Sequence, residues 1–179
     1  MPGSRRLSER ISEGDGIAII ARVRDVESAR VAEEQGAKAI AIEHSIDGIR
    51  AATTLPLLWI GDGVSVDADA VAVRPGRDVA EGLEIVLHVR DEDELEAALE
   101  NHDPPIFLLA AEGDDDHHDP LESVLELLPD VPAGKLAIAD VDVMTRDEVT
   151  SLERAGFDAV LAPVGGQIAD LVGSAPPDV

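Results

Sequence analysis

The chain has 179 residues, of which 45% are hydrophobic and 29% charged, and it carries a formal net charge of −24 at pH 7. That length and apolar content suit one domain with a full core and exclude a disordered acidic tail. The charge excludes a free nucleic-acid surface, because phosphates would be repelled, and the absence of cysteine excludes disulfide and thiol chemistry.

Aromatic residues are only 2% of the total, so the core has to be built from Val, Ile, Leu and Ala. Only Lys38 and Lys135 are lysines. An acidic, lysine-poor surface around a normal apolar core points to a high-salt (halophilic) cytoplasm, where counterions screen self-repulsion. The plainer alternative is an ordinary acidic protein from a GC-rich genome. No apolar run reaches transmembrane length and no signal-peptide pattern opens the chain, so a cytoplasmic location is expected.

Residues 1–16 are polar, with a short amphipathic helix over Ser4 to Ile11, and form a lead-in. Ile17 to Val23 reads as a first strand. Asp25 caps a helix that ends before Gly36, with Val26, Ala29, Val31 and Ala32 available for its inner side. Lys38 to Ile42 is a second strand, Ile46 to Ala52 a brief helix, and Leu55 to Ile60 a third strand. The pattern then shortens. Too few residues separate Ile60 from a fourth strand, Ala68 to Val73, for an ordinary helix, and RPGRDVAEG leaves room for a single turn. Ile85 to Val89 is a buried fifth strand that runs into a helix from Asp91, with Glu94 placed for a capping box. Pro105 to Ala110 is a sixth strand. Pro120 opens the next helix, Lys135 to Ala139 is a seventh strand, Thr145 to Ala155 a helix, and Ala159 to Ala162 an eighth strand. Gly165 and Gly166 precede a last short helix, and residues 174–179 form a loose tail.

Strand-to-helix joints this short are the unit of a parallel sheet. Eight of them predict an α/β fold of the (βα)8 TIM-barrel type over residues 17–173, shortened, with helices reduced or missing after strands 3 and 4. A weak repeat agrees: EQGAKAIAIE at 34–43 and RAGFDAVLAP at 154–163 share a helix end, a glycine and a strand, and VDADAVAVRP at 66–75 echoes the strand part. The runner-up is an open doubly wound sheet, which would also need the absent third crossover helix.

The second half, about Leu83 to Val164, resembles indole-3-glycerol phosphate synthase, a lyase of tryptophan biosynthesis. VRDEDELEAAL is similar to the family's VHDEEELERAL, and LAIADVDVMTRDEVTSLERAGFDAVLAPV to its VSESGI-TREDV-LAAGADAVLVGE. In the first half IAIIARV, GAKAIAIEHS and LPLLWIGDGV resemble AEIKRAS, GAAAISVLTE and LPVLRKDFI. The resemblance implies a phosphate-binding barrel whose chemistry uses a lysine general acid, a second lysine and glutamates. Carried over position by position, those groups are missing. The lysines fall on Ala21 and Ile60, with Trp59 in place of an arginine. The glutamates fall on His88 and Asp140, the asparagines on Ala110 and Ala111, and the phosphate-binding pair on Pro163 and Val164. Lys38 and Lys135 both precede their strands. The resemblance thus implies a diverged pseudoenzyme, non-catalytic or a binding and regulatory protein.

The alternative is a small lyase or isomerase acting on a phosphorylated metabolite through His88 and Asp140, an acid–base pair if both face one cavity; the plainer reading is a self-satisfied polar pair. Residual synthase activity is a third reading. Gly165 and Gly166 can hold a phosphate at a helix start, and Arg22 and Glu43 can contact the substrate, with His44, Ser45, Asp62, Arg74 and Asp142 on the same strand-end face. The Asp114–Asp119 run, with His117 and His118, reads as a solvated loop, so no metal and no cofactor are expected. The expected partners are a small phosphorylated metabolite, no nucleic acid and no membrane, and a homodimer through the thinly covered strand 3/4 side.

Overall fold

The computed structural model describes residues 7–12, 16–61, 68–75, 83–101, 104–110, 119–141, 143, 145–162 and 168–172. Eight strands pair in parallel in chain order: β1 (Ala18–Arg22), β2 (Ala39–Ile42), β3 (Leu57–Trp59), β4 (Ala70–Val73), β5 (Glu84–Val89), β6 (Ile106–Ala110), β7 (Leu136–Asp140) and β8 (Ala159–Ala162). β8 returns to β1, with Ile20 opposite Leu161, so the sheet closes. That closure decides for the TIM barrel over the open sheet.

The described helices are α1 (Leu7–Ser12), α2 (Val26–Glu34), α3 (Ile49–Ala52), α4 (Glu92–Asn101), α5 (Pro120–Leu127), α6 (Arg146–Ala155) and α7 (Ile168–Val172). Among the described residues no helix lies between β3 and β5; the connecting residues 62–67 and 76–82 fall outside them. The capping chemistry is local. The Asp25 carboxylate accepts the Ser28 amide at 2.7 Å, Asp91 accepts that of Glu94 at 2.8 Å, and Thr145 and Glu148 cap each other. The anticipated box at Asp91 is displaced by one residue: Glu94 reaches back to the Arg90 amide at 2.8 Å.

Alternation along the strands divides the core in two. One set fills the barrel, including Ile20, Leu58, Val86, Leu108, Ile138 and Leu161; the other lies between strands and helices, including Ile19, Ile40, Leu87, Phe107 and Val160. α1 belongs to the inner set. Its Leu7 and Ile11 are buried against the amino ends of the strands, and Glu84 at the start of β5 accepts the Ser8 amide at 2.9 Å as well as the Ser8 hydroxyl. The lead-in helix is therefore a plug for the barrel floor. In α2, Ala29 and Ala32 are buried, whereas Val31, expected on the inner side, is exposed, because it sits one residue and so about 100° round from Ala32.

One device recurs where strands 3–4 and 7–8 meet. Asp69, just before β4, donates its amide to the Leu57 carbonyl (2.9 Å), and its carboxylate accepts the Leu57 amide (2.8 Å). Asp158, just before β8, does the same with Ala137, at 2.9 Å each way. These are the aspartates of the repeated DAV segments, so the sequence repeat has a structural counterpart. Asp69 also accepts from Arg50 of α3 at 2.8 Å, tying that short helix to the side of the barrel that has the fewest described helices.

Candidate active site at the carboxyl ends of the strands

In a parallel barrel the inward residues at the carboxyl ends of the strands form the mouth, where ligands bind. Here that set contains Arg22 after Ile20, Ile60 after Leu58, Arg74 after Ala72, His88 after Val86, Ala110 after Leu108 and Asp140 after Ile138, in phase with the inner core. Arg22 Nη2 donates to Asp140 Oδ1 at 2.7 Å, reaching from β1 over β8 to β7. The other oxygen of Asp140 lies 3.9 Å from His88 Nε2, and both side chains are mostly enclosed. His88 Nε2 is buried and makes no hydrogen bond among the described residues.

Burial is the main cause that pushes the His88 pKa below its ordinary value, because it disfavours the imidazolium. Asp140 and Glu94 oppose that shift, and Arg74 and Arg90 reinforce it. The geometry brings together the two titratable residues singled out from sequence and adds Arg22 as the group that orients the carboxylate. Arg22 ends β1 in phase with inward Ile20, so alternation signals its inward direction, though not its partner. A second pair was not anticipated: Arg90, just past β5, donates to Glu94 at 3.1 Å.

Glu43 and His44 are exposed just beyond β2. The Glu43 backbone closes on Gly61, where a Cβ would lie 2.0 Å from the Glu43 carbonyl oxygen. Only glycine fits there, so the rim at Glu43 is set by β3. Gly165, Gly166, Asp62, Asp142, Pro163, Val164 and the run from Asp114 to His118 lie outside the described residues. Among the described residues no cluster of three or more His, Asp or Glu could hold a metal, and no helix is long and apolar enough to cross a membrane.

Two aligned positions change meaning. Ala21 and Trp59, to which the resemblance carries a lysine and an arginine, both point outward into the layer under the helices, whereas letter by letter IAIIARV on AEIKRAS puts the lysine on Ile20, which points into the barrel. The inward groups beside them are Arg22 and Ile60. Lys38 and Lys135 precede β2 and β7, at the opposite end of the barrel. Lys135 lines a cleft of about 560 Å³ there, with Leu125, Leu128, Val131 and Asp158. That cleft is far from the carboxyl ends of the strands, and its Asp158 carboxylate is already engaged with the Ala137 amide.

No family model matches the chain. Over 87 residues it is 32% identical to indole-3-glycerol phosphate synthase of Chlorobium phaeovibrioides, a stretch that is 49% of this chain and 33% of that enzyme. The chain thus matches about a third of the length of that relative. Over nearly the whole length it superimposes on thiamine phosphate pyrophosphorylase from Pyrococcus furiosus, with TM-score 0.68 and 18% identity, covering 93% of this chain and 92% of that one. It also superimposes on (S)-3-O-geranylgeranylglyceryl phosphate synthase from Thermoplasma acidophilum, solved with its substrate sn-glycerol-1-phosphate, with TM-score 0.58 and 16% identity, covering 92% and 91%. The likeness is one of fold.

Proposed function

We propose that this chain is a barrel that binds a small phosphorylated metabolite at its mouth, as a binding or regulatory protein, without running the lysine-dependent reaction of indole-3-glycerol phosphate synthase. The observation that carries the reading is the set of groups at the mouth. Arg22, His88 and Asp140 stand together there, and both lysines of the chain lie at the other end. A guanidinium stays protonated throughout the physiological range and cannot serve as the general acid that a lysine provides. We assign the ligand phosphate to Gly165 and Gly166, after β8, and contacts to the rest of the ligand to Arg22 and Glu43.

A second reading is favoured by His88. Its burial keeps the imidazole neutral near pH 7, and Asp140 is placed to orient it, which is the arrangement of a proton-transfer enzyme. A thermal-shift screen of phosphorylated metabolites, followed by a turnover assay of any that stabilise, separates the two: stabilisation without turnover supports the binding protein, and turnover lost in His88→Gln supports the enzyme. If His88→Ala melts higher and no ligand response is lost, neither role of His88 survives. Rescue of a tryptophan auxotroph by this chain would overturn the loss of synthase activity.

The homodimer contact is assigned to the outer side of β4, where Val71 and Val73 are only half-buried. Sedimentation of the wild type against Val71→Lys tests it, and a monomeric wild type removes it.

A further inference from the structure

The cations of the mouth are not equally committed. Arg22 holds Asp140 and Arg90 holds Glu94. Arg74, exposed just past β4, makes no ion pair among the described residues, and the β4–β5 register, with Ala72 opposite Val86 and Val73 opposite Leu87, brings it alongside His88, whose protonation it opposes. Arg74 is thus an uncommitted cation beside a buried imidazole nitrogen that makes no hydrogen bond among the described residues, in a chain of net charge −24. Solvent also enters on this side. Ala72 and Ile60 line the interior but are only half-buried, whereas Val86, the pairing neighbour of Ala72, and Leu108 are closed off.

We propose that Arg74 and His88 form an anion subsite at the carboxyl ends of β4 and β5, taking a carboxylate or phosphate group of a small metabolite whose body lies over Ala72 and Ile60. The proposal rests on the reading of the mouth as the ligand site. It adds a second anchoring point, apart from the turn after β8. Arg74 supplies the planar fork that matches an oxyanion, and His88 a second donor once protonated. The groups facing His88 fix the linkage. Asp140 of β7 and Glu94 of α4 favour its proton, while Arg74, Arg90 and burial oppose it. An anion seated against Arg74 cancels part of that opposition, so the pKa of His88 rises on binding and affinity increases as pH falls.

The test is nuclear magnetic resonance on the full chain, with the His88 signals assigned by their loss in His88→Gln. The protein is titrated separately with inorganic phosphate and malonate. The expected result is a saturable shift of His88, an upward move of its pKa, and affinity about tenfold weaker in Arg74→Gln and intermediate in Arg74→Lys. The tighter of the two anions identifies the group. If phosphate moves the Gly165 and Gly166 amides but not His88, the mouth is a ligand site and this subsite is wrong. If neither anion moves His88 in the folded wild type, or the shift persists unchanged in Arg74→Gln, the subsite is overturned. Circular dichroism melts of each variant confirm that the comparison is between folded proteins, and Arg74→Lys keeps the test open if Arg74→Gln does not fold.

Discussion

Arg22 of β1 and Asp140 of β7 meet at 2.7 Å across the end of β8, and this one contact ties two non-adjacent strands together at the mouth. Both side chains retain some exposure, 23% and 15%, so the pair is worth less than a fully enclosed one, and removing one partner takes a charge-assisted hydrogen bond from the other. Arg22→Met should cost about 1–3 kcal/mol in urea unfolding, and Asp140→Leu a similar amount. The double variant should recover much of the loss, giving a coupling of about 1 kcal/mol or more in the cycle. Additive losses would mean that the two side chains act independently.

The depressed pKa of His88 makes a pH prediction whose sign follows from linkage. The unfolded chain binds the proton near the ordinary value of 6.5, and the folded chain only at lower pH. Between those two values the unfolded state carries more protons, so stability falls with acidification through that window and is fully present above it. Self-repulsion among the acidic groups has the opposite pH dependence, so the comparison is with His88→Gln. The urea midpoint of the wild type should drop more than that of the variant as the pH is lowered from 7 through this window. Parallel curves would show that His88 is not held neutral by the fold.

How much of this could be read in advance depends on the range of the forces involved. Strand positions were legible because IAIIARV, IFLLA and their like must be buried on both faces, and helix starts because Asp25, Asp91 and Thr145 carry their own capping chemistry. The meeting of His88 with Asp140 was legible through the family resemblance. Alternation placed Arg22 on the inner face, but its pairing with Asp140 was not legible, since it joins residues 118 apart and depends on closure of the barrel. Nor was the outward direction of Ala21 and Trp59, because a one-residue difference in strand register inverts every side chain and leaves composition unchanged.

The two aspartate clamps allow a direct comparison of the same device at two places. Asp69 satisfies the Leu57 amide and Arg50, whereas Asp158 satisfies the Ala137 amide. Asp158→Ala should cost about 1–2 kcal/mol, the price of one buried amide left unpaired. Asp69→Ala should cost more, about 2–4 kcal/mol, because it also removes the 2.8 Å ion pair to Arg50 of α3. Hydrogen exchange should locate the difference: Leu57 and the residues of α3 lose protection in Asp69→Ala, and only Ala137 and its neighbours in Asp158→Ala. Equal losses would mean that Arg50 contributes nothing to holding α3.

The net charge of −24 predicts a salt response. Several carboxylates stand where they are locally unfavourable. Glu34 and Glu100 are exposed in the last turns of α2 and α4, against the negative end of each helix dipole, and neither helix has a basic residue in its last turn. Glu33 escapes the same penalty in part by accepting the Thr54 amide at 2.9 Å. Raising KCl from about 0.1 M to about 1 M shortens the screening length from roughly 10 Å to roughly 3 Å, so repulsion among these groups fades while partly buried pairs such as Arg22–Asp140 are screened much less. The melting temperature should therefore rise with KCl, steeply at first and then levelling. In a variant carrying both Glu34→Lys and Glu100→Lys, the melting temperature at low salt should be higher and the response to KCl shallower. A wild type whose melting temperature is flat or falls with KCl would show that its acidic surface is not a burden on the folded state, and the high-salt reading of the composition would go with it.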